Sequence, residues 1–436
     1  MDHLLTTIYL FGALLTTLFL GVHVAFALGG VSIAFIYFYL GPGALGMVPL
    51  RAFRAATAFE YTAIPLFIFM ASMLQHSGIA ERLFSAMHSL FGKLRGGLAA
   101  GTIGVATIFA AMSGISGAAT ISMGIIAVPA MLSRGYSKQI ALGSVAAGGS
   151  LGILIPPSVT MIIYGVTSGT SIGRLYSAGL LPGLLIAGLF VIYVLVLSWF
   201  RKEKIATETS EAKATLSTYV VGFFAPMVLI VVVLGSILVG FASIGEAAAL
   251  GAFGAALMAP SMYRKATWRQ TLSKTCAETM KYTCMIFWII ILASAFSTFY
   301  TTIGASRFIE GMVLGLELNR YVILAIMMMI LLMLGMVLDT VGIILITLPI
   351  FAPIANSLGF DPVWFGILYI INMEIGFLTP PFGYNLFYLK GVAPAGVTMV
   401  DIYKSVIPFI LLMLLGIVLC AAFPSIILVL PNLLFG

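Results

Sequence analysis

The stretch "GILIPPSVTM", Gly152–Met161, lies inside a long apolar run and carries two adjacent prolines where a membrane-crossing helix is expected. Pro156 and Pro157 lack backbone donors and clash with preceding carbonyls, so the helix has to unwind around residues 154–158. In lipid, each carbonyl freed in this way is costly unless a partner satisfies it. A cation is a suitable partner, although an ordinary proline kink would explain this stretch if it stood alone.

The rest of the composition excludes a soluble domain. Of 436 residues, 61% are hydrophobic and 8% are charged. Apolar runs of about 20 residues, the length that crosses a bilayer, recur along the chain and predict an all-α polytopic membrane protein. The N-terminal run is interpreted as a retained span rather than a signal peptide. The net charge of +7 is assigned to loops that fix topology, not to a nucleic-acid partner.

The proline pair occurs twice. "GFLTPPFGYNLFYLKG", residues 376–391, echoes "GILIPPSVTMIIYG", residues 152–165, and two further echoes keep the same order. Two broken spans in corresponding halves favour a binding site over a simple kink. We therefore predict two repeats joined by a linker. The first repeat spans residues 1–200, with a hairpin at about 98–133 and a broken helix at about 138–169. The linker spans 201–217. The second repeat spans 218–436, with a hairpin at about 320–357 and a broken helix at about 362–391.

An odd number of crossings in each half, with each hairpin re-entrant, inverts the second repeat relative to the first. With the linker placed in the cytoplasm and both termini outside, sixteen lysines and arginines fall in inner loops and five in outer loops. This asymmetry agrees with the positive-inside rule. The segment from Lys265 to Lys281 is predicted to be an interfacial amphipathic helix rather than a crossing.

The hairpin tips supply the candidate ligands. Asp339 lies among apolar residues, and a carboxylate in such a place faces an interior site by default. Hydroxyl, carbonyl and carboxylate oxygens suit a hard monovalent cation. The chain therefore predicts two sodium sites, the first made by Ser113, Ser116, Gly152 and Ser158 and the second by Asp339, Thr340, Gly376 and Thr379. The candidate substrate-binding residues between them are Gly117, Pro156, Pro157, Pro380, Pro381 and Asn385.

Several alternatives stay open at this point. The small residues of the first tip, Ser113 to Gly117, could merely allow close helix packing. Glu374 is either a further site residue or the partner of a nearby cation such as Lys390. A channel is an alternative function, since carbonyl-lined breaks also build selectivity filters. An intramembrane hydrolase is disfavoured because the G-x-S-x-G match at Gly148–Gly152 lies in a predicted helix without a positioned histidine.

The runs "GGSLGILIPPSVTMIIYG", "SIGRLYSAGLLPG" and "NMEIGFLTPPFGYNLFYLKGV" resemble the large membrane subunit, the DctM type, of tripartite ATP-independent periplasmic (TRAP) transporters. The resemblance covers essentially the whole chain. It implies an elevator-type, sodium-coupled secondary transporter with scaffold and transport domains in a bacterial inner membrane, and no enzymatic activity. It also implies a small organic anion as solute, a periplasmic binding protein that delivers it, and a separate small membrane subunit of four helices, because no fused extension is seen here. Carried over, the tips fall on Ser113–Gly117 and on Asp339 and Thr340, and the breaks on Gly152–Ser158 and Thr379–Pro381. Ile115, Phe382 and Tyr384 depart from the family pattern and leave the solute open.

Overall fold

The computed structural model describes residues 3–91, 94–114, 116–200, 223–258 and 265–436, with backbone alone at 265–267. The predicted linker at 201–217 and Ile115 lie outside the described residues. Every regular element in the described part is helical, which confirms the all-α class. Five helices are long and apolar enough to cross a membrane, namely Ser116–Ser133, Ile172–Phe200, Trp268–Thr302, Thr340–Ser357 and Met399–Ala422. The chain is thus a polytopic membrane protein.

The described part of the chain contains these helices in order. Those of the first half are α1 (His3–Phe19), α2 (Val24–Phe35), α3 (Met47–Ala56), α4 (Ala63–His76), α5 (Ile79–Phe91), α6 (Gly97–Ser113), α7 (Ser116–Ser133), α8 (Lys138–Ser150), α9 (Val159–Ser168) and α10 (Ile172–Phe200). Those of the second half are α11 (Ala225–Leu238), α12 (Ile244–Met258), α13 (Lys265–Thr302), α14 (Ala305–Leu314), α15 (Arg320–Gly335), α16 (Thr340–Ser357), α17 (Pro362–Leu378), α18 (Tyr384–Val392), α19 (Met399–Ala422) and α20 (Ser425–Phe435).

Two helix pairs, α6 with α7 and α15 with α16, occupy the segments predicted as hairpins. Helix α6 ends at Ser113, and the following Gly114 adopts the left-handed conformation with φ of 62° that glycine tolerates best. Asp339 is the N-cap of α16, because its side chain accepts hydrogen bonds from the N–H groups of Val341 and Gly342. In each pair the two helices pack against each other and against the broken helix that follows.

Both proline pairs interrupt their helices. Helix α8 ends at Ser150, a single 3-10 turn covers Leu151–Ile153, and α9 begins only at Val159. Ser158 caps α9, since its hydroxyl accepts the N–H of Met161. In the second half, α17 ends at Leu378 and α18 begins at Tyr384. The first break is buried, whereas Pro381 and Phe382 of the second are exposed.

The predicted interfacial helix at residues 265–281 is wrong as a separate element. Those residues form the first part of α13, which continues unbroken over 38 residues. No glycine or proline occurs between Lys265 and Thr302, so nothing in the sequence ends the helix before the apolar part. Gly304, with φ of 74°, follows its end.

In each half, the second helix of the helix pair packs against the broken helix of the other half. Helix α7 of the first pair packs against α18, the second part of the second broken helix, and α16 of the second pair packs against α9. A side chain on Gly117 would meet the ring of Tyr388, and one on Gly124 would meet Val392. The small residues of α7 thus allow the close approach of α18. These contacts between the two halves bring both tips and both breaks close together.

Candidate functional site

A cavity of about 450 Å³ lies where the two helix pairs and the two breaks meet. The first tip contributes Gly114, Ser116 and Gly117, and the second contributes residues 337–341. Ile153, Val159 and Thr160 come from the first broken helix, and Phe377, Tyr384 and Tyr388 from the second. The rest of the wall comes from α13, through Tyr282, Met285, Ile286 and Ile289, and from the α1–α2 connection, through Val22 and His23.

Four of the predicted site residues line this cavity. They are Ser116, Gly117, Asp339 and Thr340. The described lining does not include the other predicted residues, which are Ser113, Gly152, Ser158, Gly376, Thr379, Asn385, Pro156, Pro157, Pro380 and Pro381. The structure therefore brings the two tips together around one space, and other residues of the broken helices complete its lining.

Asp339 is the one carboxylate among the described lining residues. Its Oδ2 accepts hydrogen bonds from Val341 N at 3.1 Å and from Gly342 N at 3.3 Å. Both bonds end on Oδ2, so the lone pairs of Oδ1 are available to a further ligand. The N-terminus of α16 stabilises the negative charge through the same two amides.

Two predicted ligands already use their hydroxyl protons locally. Ser158 Oγ donates to Ile153 O at 2.7 Å, and the Ser158 carbonyl accepts the hydroxyl of Tyr176 at 3.2 Å. Thr379 Oγ1 donates to Ile375 O at 2.7 Å. These bonds fix the two breaks in place. The oxygen atoms of both residues retain acceptor capacity.

In each half, the backbone of the helix pair closely approaches the backbone of the broken helix. A β-carbon on Gly114 would lie 2.6 Å from Pro157 O, and one on Gly376 would lie 2.9 Å from Gly335 Cα. Neither distance leaves room for a side chain. Glycine therefore allows the first tip to contact the first break, and the end of α15 to contact α17 just before the second break.

Ser150 and Glu374 join the two broken helices directly. They occupy equivalent places in the two halves, six residues before Pro156 and Pro380, and the Ser150 hydroxyl lies 3.0 Å from Glu374 Oε1 across 224 residues of chain. Glu374 is fully buried. Lys390 is not its partner: Glu374 Oε2 has no hydrogen-bond partner in the described part of the chain, and Lys390 Nζ donates instead to Val397 O at 2.7 Å.

We expect Glu374→Ala to lower the midpoint of thermal unfolding, because it removes this bond and leaves a cavity between α8 and α17. The loss should be about 2 kcal/mol or more. Glu374→Gln, which keeps the size and one hydrogen-bonding oxygen, should unfold near the wild-type midpoint. Tryptophan fluorescence in detergent reports both, since Trp364 is buried in the same helix. Equal midpoints for the two variants would contradict a joining role for Glu374.

Asn385 is a second buried polar group near the breaks. Neither its amide nitrogen nor its amide oxygen has a hydrogen-bond partner in the described part of the chain, and the residue is fully buried. Thr120 Oγ1 on α7 and Ser144 Oγ on α8 are also buried without a partner there. Helices α7, α8 and α18 pack against one another. Unpaired buried groups of this kind need an ion or ordered water.

His23, Thr160, Tyr282 and Tyr388 line the cavity but were not predicted as site residues. Tyr384 and Tyr388 lie one helical turn apart just after the second proline pair, and that spacing is a usable signal. His23 and Tyr282 carry no comparable signal, because only the packing of α2 against α13 brings them to the cavity.

Comparison with known proteins gives a family match over most of the chain. The family described as "Tripartite ATP-independent periplasmic transporter, DctM component" matches residues 11–426. A C4-dicarboxylate TRAP transporter large permease protein from Rhodobacter capsulatus is 33% identical over 447 residues, covering 99% of this chain and 100% of the relative. The sialic acid large permease from Vibrio cholerae is 29% identical, covering 96% of this chain and 97% of the relative.

An isethionate permease protein named DctMQ, from Oleidesulfovibrio alaskensis, is 32% identical over 96% of this chain and 65% of the relative. Solved structures share the fold at low identity. The YdaH transporter of Alcanivorax borkumensis superposes with a TM-score of 0.63 at 14% identity, covering 88% of this chain and 89% of that chain. The Neisseria gonorrhoeae MtrF structure gives a TM-score of 0.62 at 15% identity, covering 90% and 86%.

Proposed function

Because the chain belongs to the TRAP transporter family as its DctM component, we propose that it couples the import of a small organic anion to sodium by an elevator-type movement. The observation that carries the proposal is the cavity around Asp339, enclosed by two helix pairs and two broken helices. A carboxylate and an anionic solute repel each other in a region of low dielectric. A cation bound between them removes that repulsion, so the solute binds well only after sodium has bound.

We place the boundary between the transport domain and the scaffold at the cavity. We assign α6–α9 and α15–α18 to the moving transport domain and the other helices to the scaffold. One part of the wall is made by the tips and the broken helices, and the other part by α13 and the α1–α2 connection. An elevator needs its solute site at this kind of boundary, because one side moves past the other. The reciprocal contacts of α7 with α18 and of α16 with α9 support two inverted repeats that move as one body.

The partners proposed are those of the family. A periplasmic binding protein delivers the anion, and a small four-helix membrane subunit completes the complex in a bacterial inner membrane. The linker at 201–217 faces the cytoplasm in this arrangement. Sodium ions are the coupling ions, and no other cofactor is needed. The sites are those around Ser116 and Asp339, with Asn385 and the break residues behind them.

Uptake into vesicles distinguishes this transporter from the channel alternative. The complex is reconstituted with its small subunit and binding protein, and the probe is the radiolabelled organic acid that most stabilises the binding protein in a thermal-shift screen. Uptake should require the binding protein and saturate with external sodium. Uptake that proceeds without the binding protein and does not saturate with sodium would favour a channel.

Ser116→Ala should raise the sodium concentration for half-maximal uptake by about tenfold, the effect of losing one oxygen ligand or hydrogen bond. Ser116 is buried, begins α7 and lines the cavity. Ser122→Ala is the matched control, since Ser122 is buried on the same helix but is not among the described lining residues. It should leave the sodium dependence unchanged. Wild-type sodium dependence in Ser116→Ala would remove Ser116 from the site.

A further inference from the structure

We propose that the cavity selects organic acids with one negative charge and an apolar body over dicarboxylates. This inference rests on the proposed transport function and narrows its substrate class. It is carried by the chemistry of the cavity wall: the described lining residues include no lysine and no arginine. A second carboxylate on the solute would therefore have no fixed cation to pair with.

The body of the solute meets apolar groups. Ile153, Ile163, Ile289 and Phe377 line the cavity from four different elements, and Tyr282 and Tyr388 add aromatic rings. Burying a methyl or phenyl group here is favourable in proportion to the apolar area removed from water. Burying an unpaired carboxylate against the same groups is strongly unfavourable. An alkyl or aryl tail on the solute therefore strengthens binding to this wall, and a second charge weakens it.

One anionic end can be accommodated. His23 Nδ1 accepts the backbone N–H of Ala25 at 3.3 Å, so the neutral imidazole carries its proton on Nε2 and offers a donor. The hydroxyls of Tyr282 and Tyr388 are further donors on the wall, whereas the Tyr384 hydroxyl donates to Val337 O at 3.5 Å. A single carboxylate is satisfied by a few such donors and a nearby sodium ion.

The net charge of Asp339, the bound sodium ions and the solute also favours a solute with one carboxylate. Two sodium ions neutralise Asp339 and one solute carboxylate together. A dianion leaves one negative charge in excess in the same low-dielectric space, and a third cation would be needed to offset it. The cavity of about 450 Å³ is within the range of small-ligand sites, so charge rather than size decides between acids of similar length.

The test uses two 2-oxo acids of similar size, 4-methyl-2-oxopentanoate with one carboxylate and 2-oxoglutarate with two. Each is titrated against the purified complex of this chain and its small subunit, with and without sodium, and thermal stabilisation is followed. We expect 4-methyl-2-oxopentanoate to stabilise the complex in sodium at concentrations at least tenfold lower than 2-oxoglutarate. Equal or better stabilisation by 2-oxoglutarate would overturn the charge selection while leaving sodium-coupled transport in place. Stabilisation by neither acid, nor by any other organic acid in sodium, would count against both the selection and the proposed function.

A substitution on the scaffold wall should move the preference. Met285 lines the cavity and is 43% exposed, so Met285→Arg adds a cation without disturbing the core. We expect it to reduce the difference between the two acids by about tenfold. Met280→Arg is the matched control on the same helix, because Met280 is 70% exposed and is not among the described lining residues. An unchanged preference in a folded Met285→Arg variant would contradict the proposal.

Discussion

Asp339→Asn should reduce sodium-dependent uptake by about 100-fold while the protein still folds and inserts. The size follows from removing a charged ligand from a buried site, which costs about 1.5 to 3 kcal/mol. Asparagine is as good an N-cap as aspartate, so the hydrogen bonds from Val341 N and Gly342 N can be kept. What the substitution removes is the negative charge that would hold the cation at the proposed sodium site.

Asp361 provides a control with the same structural role. It caps α17 by accepting Val363 N at 2.8 Å and Trp364 N at 2.9 Å, as Asp339 caps α16, but it is not among the described lining residues of the cavity. Asp361→Asn should therefore transport like the wild type. The measurement is initial uptake against sodium concentration, with the thermal midpoint recorded for each variant. Near wild-type uptake by Asp339→Asn, with normal sodium dependence, would remove Asp339 from the cation site.

Much of the arrangement could be predicted from sequence because its causes are local. The proline pairs must end a helix wherever they occur, and the structure shows both interruptions. The helix boundaries at Ser113, Ser116 and Asp339 follow from small residues and a capping aspartate, which act over a single turn. Asp339 is conspicuous because a carboxylate among apolar residues needs an interior partner.

The parts that could not be predicted depend on packing between distant segments. His23 reaches the cavity because α2 packs against α13, and Tyr282 reaches it because α13 extends without a break through the segment predicted as a separate interfacial helix. Ser158 and Thr379 show a different limit. Their residue types suit a cation, but their hydroxyls donate to carbonyls within the same helix or break. Residue type and spacing do not reveal which acceptor a hydroxyl group donates its hydrogen bond to.

Gly114→Ala should abolish transport because it separates the first hairpin tip from the first break. The added β-carbon would lie 2.6 Å from Pro157 O, a contact that backbone atoms cannot relieve without moving the tip. The left-handed φ of 62° adds a conformational cost of about 1 to 2 kcal/mol for any L-residue. Transport and protein stability are measured together, so that a functional loss can be compared with any loss of folding.

Gly169→Ala separates these two costs. Gly169 has a φ of 72° and ends α9 in the left-handed conformation, but a β-carbon there would meet nothing within 4 Å. It carries the conformational cost without the collision, and we expect it to keep most of its transport. Equal loss in both variants would assign the effect to backbone strain. Wild-type transport by Gly114→Ala would show that the tip does not need to rest on the break.

The contact between Gly114 and Pro157 is important because the first break is wholly buried and its carbonyls need partners other than water. Pro157 O lies against the Gly114 backbone, with Ser116 two residues further along the tip. If the tip moves away, Ser116 is displaced from the first break, and the proposed first sodium site, which takes ligands from both the tip and the break, loses them together. For this reason the loss in Gly114→Ala should be restored by neither higher sodium nor higher solute concentration, whereas Ser116→Ala, which removes one oxygen and leaves the backbone contact intact, should recover as sodium is raised.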